Sequence, residues 1–126
     1  MNRIIVAAVA IVSAIAISFV GFFAVKNTCN KLEKELVELC ETAHEKDTEK
    51  AIEKTDDLIT LWEEIHGTIE AFVDHSETDK LEEIIKNLPI FARQDNMERL
   101  EQQADLAIDE VHQIIRSLKP IISNIF

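Results

Sequence analysis

"MERLEQQADLAIDEVHQIIRSL", residues 97–118, carries the most regular apolar pattern in the chain. Met97, Leu100, Ala104, Ala107, Val111, Ile114 and Leu118 follow at alternating intervals of three and four, and most of the positions between them are charged or amide residues. Only an α-helix puts such residues on one side, so the spacing predicts an amphipathic helix with a single buried stripe. Upstream, Asp95 followed by Glu98 reads as a capping box that starts this helix. Downstream, Pro120 biases Lys119 away from helical angles and is expected to end it. The apolar tail "IISNIF" (121–126) is too short to cross a membrane and is expected to fold back onto the bundle.

Working towards the N-terminus, three more helical segments appear. Leu81, Ile84, Ile85, Leu88, Phe91 and Ala92 mark one, with Pro89 inside it and a kink or broken turn expected near 86–88. Ser76 and Asp79 approximate its capping box. Another covers 49–73. Its apolar face repeats by sevens through Ala51, Leu58, Ile65 and Phe72, and again through Ile52, Ile59, His66 and Val73, with Trp62 and Ile69 between. A face that wide looks into a bundle core. Gly67 lies in this helix and offers room for a close neighbour. Asp47 or Thr48 is placed to cap its start. The remaining segment shows Cys29, Leu32, Leu36, Leu39, Cys40 and Ala43 at helical spacing.

The N-terminal region has a different chemistry. "RIIVAAVAIVSAIAISFVGFFAVK" (3–26) holds 22 uncharged residues from Ile4 to Val25. At about 1.5 Å per residue these reach roughly 33 Å, enough for a bilayer core. The run exceeds a signal-peptide core, and "FFAVKNTC" offers no convincing cleavage site, so an uncleaved signal-anchor is expected. Lys and Arg near the two flanks do not decide the orientation. The two-residue leading tail favours an inside N-terminus, with the rest of the chain extracytoplasmic.

All 24 acidic residues lie beyond position 30, leaving that part with a net charge of about −12. Such a charge opposes nucleic acid and anionic headgroups alike. Two Gly, two Pro and no Tyr in 126 residues, with Leu, Ile, Glu, Lys and Ala abundant, point to helices rather than strands. The expected fold is all-α: residues 1–26 a single transmembrane helix, residues 27–126 a small, acidic antiparallel helical bundle.

Groups that could carry chemistry are few. Glu41 and His44, Glu63 and His66, and Asp109 and His112 each stand three apart, a spacing that carboxylate bundles use for paired metal ions. Acidic residues are frequent enough here to produce such pairs by chance, and the three histidines fall within or at the edges of apolar faces. Cys29 and Cys40 would lie about 16 Å apart on one helix, too far for a disulfide. Cys40 and His44 have zinc-compatible spacing but make only two ligands. His75 is read as closing the second helix, where a partly positive ring suits the helix dipole, and Trp62 as core. No phosphate loop, nucleophile elbow or redox cysteine pair is present. No catalytic, cofactor-binding or metal residue is therefore assigned, no cofactor is expected, and the chain is expected not to be an enzyme.

"LWEE" followed by "FVDHSETDKLEEI" resembles a small uncharacterised family from Gram-positive, often spore-forming bacteria, with Trp62, Phe72, His75 and the following acids the specific positions. The closing "NIF" is similar too. The resemblance implies one N-terminal membrane helix and a helical remainder, and it carries over no catalytic or ligand residue. The expected role is a single-pass, non-enzymatic interaction or structural module of the cell envelope. The alternative is an extracytoplasmic bundle that senses a ligand or metal through a membrane partner. Expected partners are the lipid bilayer, through the first helix, and an unknown membrane or envelope protein. A second copy is also a candidate: Ala10, Ala14 and Ser18 form a small-residue stripe, and Cys29 would meet its twin if the bundle began above it.

Overall fold

The computed structural model describes residues 2–125, with side chains as far as Leu118. Four helices account for nearly all of them: α1 (Asn2–His44), α2 (Thr48–Glu70), α3 (His75–Arg93) and α4 (Met97–Ile125). No strand occurs among the described residues. Each helix packs on its neighbours in sequence, and α4 returns to α1, so the four close an up-down-up-down bundle.

The alternating pattern of α4 delivers its stripe to the core: all seven positions from Met97 to Leu118 are buried. Leu32, Leu36 and Leu39 meet them from α1, Leu58, Trp62 and Ile69 from α2, and Leu81, Ile85 and Leu88 from α3. Three buried threonines fit this apolar interior because each hydroxyl donates to a backbone carbonyl of its own helix or its cap: Thr42 to Glu38, Thr55 to Ile52 and Thr78 to Asp74.

Two turns at one end of the bundle share one construction. After α1, the Lys46 N–H donates to Ala43 and the Asp47 N–H to Thr42. After α3, Asp95 donates to Ala92 and Asn96 to Phe91. Both are Schellman motifs, with Lys46 (φ 60°) and Asp95 (φ 56°) in the left-handed position that glycine usually takes. The residue that completes each motif also caps the next helix: Asp47 accepts from the Lys50 N–H and Asn96 from the Arg99 N–H. The expected cap at Asp47 is therefore present. The expected Asp95–Glu98 box is not, because Asp95 is committed to ending α3; its carboxylate instead takes the Thr48 hydroxyl, tying the two turns together.

The turn at the opposite end is looser. Asp74 precedes α3 with no side-chain cap, and its carbonyl alone receives the first N–H groups, from Glu77 and Thr78. The Ser76–Asp79 box is thus corrected: α3 has already begun at His75. His75 opens α3 rather than closing α2. Phe72, expected in the core column of α2, lies beyond that helix and is 42% exposed.

Both prolines are carried inside helices. Pro89 is buried within an unbroken α3, and α4 continues past Pro120 to Ile125, so the tail extends the helix instead of folding back. Gly67 has open space where a close neighbour was expected; the close approach is at Gly21, where an added β-carbon would overlap the Phe72 ring.

α1 is one helix of 43 residues. Its lower part is exposed, with Ile4, Val6, Val9, Val12 and Ile17 all more than half accessible. Bundle burial begins at Gly21 and Val25. Cys29 is consequently fully buried, so the bundle does not begin above it, which was the condition for a Cys29–Cys29 contact between two copies.

Candidate functional site

Of the groups singled out from the sequence, Cys40, Glu41 and His44 line one open hollow, while His66 and His112 lie elsewhere on the bundle. His44, His66 and His112 each contact a carboxylate other than the one three residues before them. His44 Nδ1 lies 3.4 Å from Glu101 across the α1–α4 seam, and His112 Nε2 lies 2.6 Å from Glu33 across the same seam. His66 Nδ1 is 3.3 Å from Glu70, one turn on, without hydrogen-bond alignment. Glu41 and Glu63 are exposed, and among the described residues no three His, Cys, Asp or Glu side chains are placed to hold a metal ion together. A helix places residues three apart on one side, but the seam selects which of the two faces the neighbour.

Cys40 shares the outer end of that seam. Its thiol donates to Asp105 Oδ1 at 3.4 Å, beside an open hollow of about 250 Å³ lined by Cys40, Glu41, His44, Glu45 and Glu101. Burial, and then the bond to Asp105 with the surrounding carboxylates, pushes this thiol up to about 12. Cys29 is pushed equally high by burial and by Glu33. Neither thiol offers thiolate near neutral pH, so neither is poised for nucleophilic or redox chemistry.

Trp62 is core, as its spacing implied, and its indole N–H finds a partner in Glu82 Oε1 at 3.1 Å. That bond, reinforced by Lys86, holds the Glu82 carboxyl below its ordinary range. Burying the ring while leaving its one polar atom at the rim is the usual arrangement for tryptophan. His66 stacks loosely on the ring, 6.0 Å between centroids.

One pair escaped the sequence reading. Glu110 on α4 reaches Glu77 in the first turn of α3. Desolvation, then the hydrogen bond to Glu77 and its charge, push Glu110 up to about 7, with Lys80 opposing. One of its oxygens is buried without a partner. Two carboxyls on different helices leave no local signature, so no spacing rule could have found them.

What this arrangement holds is a set of interhelical ties: Lys54 to Glu38 (3.1 Å), Arg93 to both oxygens of Asp56 (2.9 and 3.0 Å), Trp62 to Glu82, and Glu33 to His112. The model of a family described only as a domain of unknown function, DUF4363, matches residues 19–125. The chain belongs to that family. No curated protein and no solved structure matches it. The DUF4363 segment begins two residues before Gly21, where burial begins, and takes in every interhelical tie above. It also includes the last turns of the apolar run.

Proposed function

We propose that this DUF4363 protein is a single-pass membrane protein whose acidic bundle serves as a non-enzymatic interaction or structural module of the cell envelope. The observation that carries this reading is the continuity of α1. Its lower part has a mean hydropathy of 2.7 over its most apolar window, of which only 6% is buried, and its upper part supplies one wall of the core. An exposed apolar helix of that length needs lipid around it. The bundle presents dispersed charge, shallow open hollows and thiols held as thiols. These features suit contact with another macromolecule better than enclosure of a small substrate.

Alkaline carbonate washing of membranes tests the anchor: the intact chain should remain in the pellet. Release of a soluble form starting after about residue 25 would make the apolar run a cleaved signal instead. Protease added to cells stripped of their wall should remove the bundle and spare the anchor. Complete protection with the membrane intact would place the bundle in the cytoplasm.

A further inference from the structure

The α2–α3 turn is the part of the bundle that the anchor reaches first. Near the far end, Lys54 of α2 meets Glu38 of α1. Eighteen residues further along α2 and its turn, the Phe72 ring lies against Gly21, seventeen residues back along α1. The two chains thus stay in antiparallel register along the bundle, which fixes the level of the turn. Gly21 stands five residues before Lys26, about 7 Å inside the uncharged run. α4 keeps register in the same way. Cys40 faces Asp105, and seven residues down each helix Glu33 faces His112. Continued at that register, the backbone of α4 draws level with Gly21 at about position 124, within the helix that runs to Ile125.

The hydrocarbon cannot extend to Lys26 around such a bundle, because Glu70, Asp74 and His75 would enter it with the turn. Its boundary falls at Gly21, leaving Ile4–Val20 to span. Those 17 residues reach about 25 Å, at the short end for a membrane helix. At that boundary, the turn offers one large, partly exposed apolar side chain, Phe72, flanked by charges that stay in the headgroup layer.

Resting on the reading that α1 crosses a bilayer, we propose that the α2–α3 turn docks on that same bilayer, with Phe72 seated at the headgroup–acyl boundary beside Gly21. The contact is apolar and needs no anionic lipid, since the turn is itself acidic. The bundle therefore stands on the membrane surface instead of floating above it.

The test uses the full chain in phosphatidylcholine vesicles containing lipids brominated near the top of the acyl chain. Single tryptophans are compared in a Trp62→Phe background: Phe72→Trp, Phe19→Trp within the anchor, and Gln94→Trp at the far end. The Phe72→Trp emission should be quenched at least half as strongly as that of Phe19→Trp, and Gln94→Trp should be unaffected. Phe72→Trp as unquenched as Gln94→Trp, with Phe19→Trp quenched, would overturn the docked turn and leave the anchor standing. Absence of quenching in all three would overturn the anchor as well. Should the background lose its helical signal, a nitroxide on Phe72→Cys in the otherwise native chain gives the same ranking by collision with oxygen against a nickel chelate. The chain without Phe72→Cys, labelled identically, supplies the background from Cys29 and Cys40.

Discussion

The two ends of this bundle are closed by different physics. At the end away from the apolar run, two turns repeat one local device: a left-handed residue completes a Schellman motif, and the next side chain caps the following helix. At the other end, the α2–α3 turn has no side-chain cap and is positioned by the Phe72 ring on Gly21, fifty-one residues away in sequence. The first kind of closure is written in neighbouring residues. The second adds to its local backbone bonds a contact that α1 must supply.

Four measurements can break or sharpen that contrast. The largest effect belongs to the core between the ends. Trp62→Ala should cost about 3–5 kcal/mol in denaturant unfolding, because it opens a large cavity and strips Glu82 of its donor. A loss below about 1 kcal/mol would place the indole outside the core. Next comes the dependence on α1. In one mild detergent, a chain starting at Phe19 should be more stable than one starting at Asn27 by about 2–3 kcal/mol, chiefly through the burial of Val25 and the Phe72 contact. Equal stabilities would mean that the near end closes without α1. The caps should then differ by position. Asp47→Ala should cost about 1 kcal/mol in thermal unfolding, whereas Asp74→Ala, whose side chain caps nothing, should cost a few tenths at most.

The smallest effect is a pH dependence confined to the near end. Glu110 binds its proton at about 7 in the folded chain against an ordinary 4.5. Between these values the folded state holds more proton than the unfolded state, so stability should fall as pH rises from about 4.5 to 7 and level off above. At this half-buried pair, solvent screening limits the change to about 1 kcal/mol or less. Glu110→Gln should flatten the slope; an unchanged slope would assign it to another group.

The same division explains how much could be read beforehand. The stripe of α4, the wide face of α2 around Trp62 and the helical continuation of α1 from residue 26 all follow from periodicity, which is a local property that packing then uses. The ends did not follow. Asp95 and Asn96 are both good capping residues, and only the left-handed φ of Asp95 shows that it ends one helix while Asn96 starts the next. Pro89 carries a cost of roughly 3 kcal/mol in a helix, yet its ring is buried, and interior packing offsets what the missing N–H loses. Gly67 and Gly21 look alike in sequence; only the second has an aromatic ring against it. Among the polar groups, the seam between α1 and α4 decided the partners of His44 and His112, and three-residue spacing could not.

Finally, the unbroken course of α1 has a mechanical consequence. From Gly21 to His44 the helix is about 35 Å long and is braced along its length by α2 and α4. A membrane helix changes tilt when the bilayer around it thickens or thins. On the proposal that α1 crosses a bilayer, with the bundle fixed to the same rod, a tilt of about 10° would sweep the Lys46 and Asp95 turns sideways by roughly 6 Å. The far end would then act as a pointer, converting bilayer thickness into lateral displacement at a height where a neighbouring protein could register it.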